Sequence, residues 1–362
     1  DYETEKFKKV SDSIYKDSSK SEKIIAFNSP LMQGLMYISL LTISYLGAKL
    51  IVSDSMTVGQ LMSFITYTSQ ILMSLMMLSM VFVMITISRA SAFRIEEVLA
   101  ETSDLFDKED AVASVADGSI DFENASFSYT KREDKLCLEE INLHIESGDV
   151  VGIIGPTGSG KSSLIQLIPR LYDVFSGSVK VGGLDVRDYQ LDALRNAVSV
   201  VLQKSVLFSG TIKENLRWGN LEATDEQLIR ACKIAQADSF IQSFPDGYDT
   251  YIEQDGSNLS GGQKQRLSIA RSILKQPKVL ILDDSTSAVD TKTDTLIRRA
   301  FRNELKDTTK IIISQRINSV KDADMIVVLD QGRIQAVGKH EELLTTSEMY
   351  HEIYDSQSRE EA

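Results

Sequence analysis

The chain has 362 residues, including 52 acidic and 39 basic side chains, and a formal net charge of −13. This length allows two or more domains, because a single domain usually has about 100–200 residues. The negative charge is unfavourable for binding a phosphate backbone, so we expect no nucleic-acid partner. Two cysteines, Cys137 and Cys232, are too few and too far apart to predict a metal site or a disulfide framework, and we interpret both as reduced packing residues.

Two N-terminal segments, residues 24–48 and 55–88, contain no Asp, Glu, Lys, Arg or His. Each exceeds the roughly 20 residues that cross a bilayer as a helix, so we predict two membrane spans. The second segment is too long for one crossing. We expect it to include the outer turn, a helix beginning at Thr57, Val58 or Gly59, and an extension into the cytoplasm. Two buried core helices are the alternative, but they would need a large soluble protein around them.

Charged residues that flank the spans predict their orientation. Lysines precede the first span, Arg89 and Arg94 follow the second, and the turn between them holds only Lys49 and Asp54. By the positive-inside rule, both ends are cytoplasmic. The chain begins on a charged amphipathic stretch rather than on Met, which we interpret as a cut from within a larger protein.

The C-terminal part of the sequence contains runs typical of strands. Residues 120–129 alternate apolar and polar side chains, which predicts a half-exposed strand. Four later runs are short, β-branched and almost wholly apolar, which is typical of parallel strands buried on both faces. They are VVGIIG, VSVVLQ, VLILDD and KIIISQ, and the apolar pattern breaks at Gly155, Gln203, Asp283 and Gln315. Ligands bind beyond the carboxyl ends of such strands, so we expect these four positions to meet at one site.

The first of these strand ends opens a glycine-rich loop, GPTGSGKS, directly before a predicted helix. The loop fits the pattern G-x-x-x-x-G-K-[ST], in which backbone N–H groups surround phosphates. Lys161 then reaches the β- and γ-phosphates, Ser162 binds Mg²⁺ through its hydroxyl, and Asp283 adds a carboxylate to the Mg²⁺ shell. The predicted nucleotide-binding loop comprises Gly155, Pro156, Thr157, Gly158, Ser159, Gly160, Lys161, Ser162 and Ser163.

A second motif, LSGGQ, occupies residues 259–263 and precedes a predicted amphipathic helix. Together with the phosphate loop, Gln203, the strand ending at Asp283 and the SAVD segment at 287–290, it resembles the nucleotide-binding domain of ABC transporters. The spans, SAFRIEEVL and LFSGTIKENL further resemble ABC exporters, in which membrane and nucleotide-binding parts share one chain.

This resemblance implies an α-helical membrane segment plus an α/β P-loop NTPase domain. The expected division places the membrane part at 1–100, a linker at 101–118 and the nucleotide-binding domain at 119–362. Residues 1–10 resemble the cytoplasmic stem before the fifth helix of a six-helix exporter half, so helices one to four are expected to be absent from this chain.

The resemblance also implies ATP and Mg²⁺ as cofactors and a role for each matching residue. Tyr129 stacks on adenine, and Gln203 contacts Mg²⁺ and responds to the membrane part. In this family two domains hold ATP between them in a head-to-tail arrangement. The residues expected to act on ATP bound by the partner are Ser260, Gly261, Gly262, Gln263 and Asp290.

Two positions depart from the family pattern. Asp284 stands where the family usually has a Glu that orients water, and Gln315 stands where it usually has a His that contacts the γ-phosphate. We predict that this site binds ATP well and hydrolyses it slowly. A chain that combines an intact LSGGQ motif with a weak site of its own resembles one subunit of heterodimeric ABC exporters, often of the multidrug type. The other half of such exporters carries Glu and His at these two positions.

Three other functions remain open. They are a homodimeric lipid or peptide ABC exporter, a soluble ABC ATPase of DNA repair or translation, and a nucleotide-gated channel or regulatory subunit. The spans and the acidic charge are unfavourable for the soluble class. The resemblance to ABC exporters implies an integral membrane protein of the bacterial inner or plasma membrane.

The sequence feature that bears on the type of substrate is a group of methionines in the second span. They recur at helical spacing and are predicted to share one face: Met73, Met76, Met77, Met80 and Met84. Flexible thioethers suit varied hydrophobic or amphipathic substrates. Helix packing or contact with membrane lipid is the alternative interpretation.

Overall fold

The computed structural model describes residues 2–285 and 288–360. The chain divides into two compact units after Thr102, an N-terminal unit of helices and a C-terminal α/β unit. Each unit is a separate body with its own secondary structure.

The N-terminal unit consists of helices α1, Tyr2–Val52, and α2, Val58–Leu99. Both are long and apolar enough to cross a membrane, with 6% and 0% of their most apolar windows buried within the protein. Their apolar surface is therefore left for lipid or for other helices. An amide from Asn28 donates a hydrogen bond to the Ser79 hydroxyl at 3.1 Å, which adds a polar link between the two helices.

Helix α2 begins where the sequence predicts. Thr57 accepts a hydrogen bond from the backbone N–H of Gln60 through its hydroxyl, and the Gln60 side chain accepts one from the Thr57 backbone N–H at 2.9 Å. This reciprocal cap satisfies two backbone donors and fixes the first helical turn. The predicted helix start is confirmed, and the helix continues beyond the uncharged segment to Leu99.

The C-terminal unit contains twelve strands and nine helices among its described residues. The strands are β1 Ile120–Phe127, β2 Leu138–Ile145, β3 Val150–Ile154, β4 Ser176–Val181, β5 Leu184–Asp185, β6 Val198–Val201, β7 Gly210–Thr211, β8 Tyr251–Ile252, β9 Val279–Asp283, β10 Thr309–Ile313, β11 Met325–Asp330 and β12 Arg333–Gly338. The helices are α3 Lys161–Leu167, α4 Leu191–Ala197, α5 Ile212–Arg217, α6 Asp225–Ile234, α7 Asp238–Ile241, α8 Gly261–Leu274, α9 Thr291–Glu304, α10 His340–Thr346 and α11 Glu348–Glu360.

A six-stranded sheet in the order β12-β11-β3-β10-β9-β6 forms the centre of this unit. Strands β11, β3, β10, β9 and β6 are parallel, and β12 is an antiparallel edge strand. A four-stranded antiparallel sheet, β2-β1-β4-β5, forms a second layer, and β7 pairs with β8. The predicted strand at residues 120–129 is β1, but five of its eight residues are buried, so the expectation of a half-exposed strand is wrong: both of its neighbours, β2 and β4, pair with it and its apolar side chains enter a hydrophobic core. The four predicted apolar strands are β3, β6, β9 and β10, which confirms that pattern.

The central sheet is buried on both faces, and strand β9 shows how. Leu280 and Leu282 belong to one hydrophobic core, with helices α6 and α8. Val279 and Ile281 belong to the other, with the antiparallel sheet and helix α3. Because side chains alternate across a strand, a wholly apolar run is needed to fill both cores.

Strand register brings three strand ends to one level. Ile313 at the end of β10 lies opposite Asp283 on β9 and opposite Ile153 on β3. The segments that follow these strands therefore emerge side by side at the carboxyl edge of the sheet, where ligands bind in open parallel sheets.

A buried hydroxyl joins the central sheet to the segments around it. Thr309, which is fully buried at the start of β10, donates a hydrogen bond to the Gly118 carbonyl at 2.6 Å. The same hydroxyl accepts a hydrogen bond from the Gly148 backbone N–H at 3.0 Å. It satisfies two backbone groups that flank β1 and β2.

We expect Thr309→Val to destabilise the C-terminal unit, because the substitution keeps the shape of the side chain and leaves two backbone groups without their partner. The expected loss is about 1–3 kcal/mol in the free energy of unfolding, or several degrees in Tm. Thr308→Val is the matched control, since that half-buried hydroxyl makes one hydrogen bond, to the Pro277 carbonyl. Equal melting temperatures for wild type and Thr309→Val would contradict this role.

Candidate functional site

The phosphate loop connects the end of β3 to the start of α3 in a conformation that favours glycine. Gly155, Gly158 and Gly160 have φ values of 156°, 85° and 101°. A Cβ at Gly155 would also collide with the Leu329 carbonyl oxygen. These positions let the backbone turn sharply, so that N–H groups at the start of α3 are available to an anion.

The Lys161 side chain folds back onto this loop. Its amino group donates hydrogen bonds to the carbonyl oxygens of Gly155 at 2.9 Å and Pro156 at 2.7 Å, and contacts the Ser159 hydroxyl at 3.3 Å. Burial lowers the pKa of Lys161, and the charges of Asp283 and Asp284 oppose that shift. The ammonium group is thus held next to the two carboxyls at the end of β9.

The first of these carboxyls lies beside the P-loop hydroxyl. Ser162 donates a hydrogen bond to Asp283 at 3.4 Å, which places a hydroxyl oxygen and a carboxyl oxygen side by side. Burial raises the pKa of Asp283 and the neighbouring Asp284 charge adds to it, whereas the Ser162 hydrogen bond and Lys161 lower it. A hard cation would favour the ionised form of this carboxyl.

Asp284 occupies a constrained position. It has a φ of 47°, in the left-handed region that Asp tolerates better than most residues, and its backbone N–H donates to the Ile313 carbonyl at 3.0 Å. The Gln203 amide donates a hydrogen bond to its carboxyl at 3.2 Å. Burial raises the pKa of Asp284, and the charge of Arg316 is the main opposing influence.

One open cleft brings ten of the predicted site residues together. Its lining includes Thr157, Gly158, Gly160, Lys161, Ser162, Ser163, Gln203, Asp283, Asp284 and Gln315. The predicted convergence of strand ends is therefore observed, with Gln203 and Gln315 each two residues beyond the strand proper. Gly155, Pro156 and Ser159 contribute through their contacts with Lys161.

Cys137 also lines this cleft, with its sulfur 3.2 Å from the Ser163 hydroxyl. Both cysteines are free and pack as expected, Cys232 within one hydrophobic core and half-buried Cys137 against the other, but the place of Cys137 in the cleft was not predicted. No local sequence pattern pointed to it, because the contact joins the start of β2 to the phosphate loop across the fold.

Tyr129 lies at the side of the same loop. Its hydroxyl is 3.0 Å from the Ser163 hydroxyl and donates to the Gln166 side chain at 3.1 Å. The ring meets Phe127 and Tyr172 edge to face, with centroids 4.6 and 5.1 Å away, and the residue remains 52% exposed. An exposed ring held at a fixed angle is suited to stacking on a flat ligand.

The LSGGQ residues lie outside the cleft. Ser260 caps helix α8, accepting from the Gln263 backbone N–H, while the Gln263 side chain accepts from the Ser260 N–H at 2.8 Å. Among the described residues, none of 259–263 lines the cleft. The Ser-x-x-Gln spacing is a capping pattern, and this signal was available in the sequence.

Helix α8 is joined to the segment that follows β9. The buried Gln265 side chain accepts a hydrogen bond from the Ala288 backbone N–H at 3.1 Å, and a Cβ at Gly262 would crowd the Ala288 carbonyl. Asp290 then caps α9 by accepting from the Thr293 N–H at 3.0 Å. The LSGGQ helix and the Asp290 turn are thus fixed relative to one another.

Family models match both units of the chain. Residues 138–287 match the model described as "ABC transporter", and residues 1–91 match that of the "ABC transporter transmembrane region". The chain therefore belongs to the ABC transporters. It combines a helical transmembrane region with an α/β ABC nucleotide-binding domain.

Relatives and a solved structure are similar over nearly the whole chain. Bacillus subtilis YknU, an uncharacterized ABC transporter ATP-binding protein, is 37% identical over 99% of this chain, and an ATP-dependent lipid A-core flippase of Desulfotalea psychrophila is 36% identical over 99%. A bacterial Atm1-family ABC exporter with ATP bound has a TM-score of 0.85 and 31% identity, over 94% of this chain and 60% of that one. The chain spans 62% of the length of each of these two relatives.

We expect Lys161→Ala to weaken ATP binding at least about tenfold, because a charge-assisted contact to phosphate contributes about 1.5–3 kcal/mol. Photolabelling with 8-azido-ATP measures the loss. Lys292→Ala, at an exposed position on α9, is the control for removal of a lysine. Equal labelling of wild type and Lys161→Ala would show that the loop does not hold the phosphates.

Proposed function

We propose that this chain is the ATP-binding and permease subunit of a heterodimeric ABC exporter in a bacterial inner or plasma membrane, with its nucleotide-binding domain in the cytoplasm. Its own site binds ATP and hydrolyses it slowly, and its LSGGQ residues serve the partner's site. The observation that carries the proposal is the position of Asp284 and Gln315 in one cleft with Lys161 and Asp283. Nucleotide-binding residues follow the family pattern there, and the two residues beside them depart from it.

The residues of the cleft fit ATP and Mg²⁺. At Gly155 and Gly160 a Cβ would collide with neighbouring protein atoms, so glycine is what allows the loop to take this shape. The Lys161 ammonium group donates a hydrogen bond to the Gly155 carbonyl and therefore lies at the loop that would hold phosphate. Ser162 and Asp283 present a hydroxyl and a carboxylate oxygen, the ligand type that Mg²⁺ prefers. Bound Mg²⁺ supplies charge neutralisation on the β- and γ-phosphates.

Slow hydrolysis follows from the two departures. Asp284 is one methylene shorter than Glu, and its carboxyl is already engaged by Gln203 at 3.2 Å. A displacement of about 1 Å in a catalytic group costs about 100-fold in rate. Gln315 can donate a hydrogen bond to a phosphate oxygen, but it has no titratable proton or charge.

The LSGGQ helix supports action on a second chain. Its capped N-terminus, with Ser260 exposed, is suited to an anion but lies outside the chain's own cleft. Gln265 holds the Asp290 turn against the same helix. We infer that both elements close together over ATP held by a partner half that carries Glu and His.

A homodimeric lipid or peptide exporter is the second candidate. One relative is named a lipid A-core flippase, while another, Bacillus subtilis YgaD, is named a putative multidrug export protein and is 39% identical over 85% of this chain and 53% of its own length. A homodimer would carry Asp284 and Gln315 in both sites. ATP hydrolysis would then depend on Asp284.

The methionine face is the proposed contact for hydrophobic or amphipathic substrates. Met73, Met77, Met80 and Met84 are exposed on α2, whereas Met76 is half-buried within the helical unit. Exposed thioethers adapt to ligands of varied shape. Membrane lipid is the other partner that this apolar surface fits.

We expect Ser260→Arg to lower steady-state ATPase activity of the purified complex at least about 100-fold, because the added cation fills the space where phosphate approaches the helix N-terminus. Asp284→Asn should change the rate less than about threefold, since its carboxyl is already badly placed for water. Ser257→Arg is the matched control, at an exposed position just before the motif. Equal losses from Ser260→Arg and Asp284→Asn would favour the homodimer.

We expect Met77→Ser or Met80→Ser to alter the relative transport rates of different substrates, because a polar hydroxyl replaces a flexible apolar contact. Basal ATPase activity should stay within about twofold of wild type. Leu75→Ser, an exposed change elsewhere on α2, is the control. If transport of all tested substrates falls in parallel for Met77→Ser and Leu75→Ser, the face serves packing or lipid contact.

A further inference from the structure

The C-terminal helix reaches back to the segment that follows strand β10. Gln357 on α11 donates a hydrogen bond from its amide nitrogen to the Gln315 carbonyl at 2.6 Å. Its amide oxygen accepts a hydrogen bond from the Ile317 backbone N–H at 2.9 Å. One side chain thus holds the backbone on both sides of Arg316, across about 40 residues of sequence.

The elements on both sides of this bridge are anchored. Ile317 is buried in the hydrophobic core, and Ile353 and Tyr354 of α11 pack against that core. Tyr350, also fully buried, places its hydroxyl 2.8 Å from the His340 ring nitrogen. Helix α11 is therefore a fixed support, and Gln357 transmits its position to the backbone of Gln315.

A glutamine amide is suited to this contact because it presents a donor and an acceptor side by side, matching a backbone carbonyl and a backbone N–H. Alanine removes both groups. Glutamate keeps the acceptor but loses the donor, and its second oxygen would face the Gln315 carbonyl. Glutamine and glutamate have similar helix propensities, so the helix itself should be preserved in that variant.

We propose that Gln357 is a positioning residue for Gln315, and that the C-terminal helix thereby sets how strongly the site prefers ATP to ADP. The inference rests on the proposed contact between Gln315 and the γ-phosphate, which only ATP carries. Gln357 acts through the backbone of Gln315 and has no contact with nucleotide in this account.

The test measures equilibrium affinities of the purified full chain for ATP and ADP with Mg²⁺. Gln357→Ala and Gln357→Glu should each weaken ATP binding about three- to tenfold, the loss expected when the hydrogen bond from Gln315 to the γ-phosphate is misplaced, and leave ADP binding unchanged. Ser358→Ala, an exposed change at the next position of the same helix, should alter neither affinity. An equal loss for ATP and ADP in the Gln357 variants would overturn the proposal, because a general structural role gives that result.

Gln315→Ala separates failure of this inference from failure of the proposed site. It should lower ATP affinity selectively, and adding Gln357→Ala to it should cause little further loss, because both act through one side chain. If Gln315→Ala is selective for ATP but Gln357→Ala is not, the positioning role is wrong and the γ-phosphate contact stands. If Gln315→Ala leaves ATP affinity unchanged, the proposed γ-phosphate contact is wrong, and the positioning role fails with it.

Discussion

Parallel pairing of β10 with β3 and β9 is the constraint on which the candidate site depends. The register puts Ile313 opposite both Ile153 and Asp283, so the phosphate loop, the paired aspartates and Gln315 emerge at one edge. A shift of one residue would turn every side chain of a strand to the opposite core. Burial on both faces, which needs unbroken apolar runs, therefore fixes the geometry of the candidate site as well as the fold.

The cleft and the LSGGQ helix are built as separate parts of one domain. Lys161, Ser162 and Asp283 form a site with the groups needed to hold phosphate and Mg²⁺. Ser260 and the Asp290 turn form a second surface, held rigid by capping hydrogen bonds and by Gln265. In the proposed heterodimer, this separation would let a chain with a weak site of its own complete a strong site on a partner.

The sequence predicted the parts of the structure that depend on local patterns. Apolar runs and the glycine loop predicted β3, β9, β10 and their convergence, and charge exclusion with Thr57 predicted where α2 begins. Contacts between residues that are far apart in sequence have no local pattern from which they could be predicted. Cys137 enters the cleft, and Gln357 meets Gln315, only because the folded chain brings residues far apart in sequence together.

In the proposed exporter, this chain's own site retains ATP while a partner's site hydrolyses it. Vanadate trapping of the purified complex with radiolabelled ATP, followed by separation of the two chains and analysis of the nucleotide on each, tests this most directly. The account predicts trapped ADP on the partner and unhydrolysed ATP on this chain. Trapped ADP on this chain, in an amount equal to that on the partner or in a complex of identical chains, would contradict it.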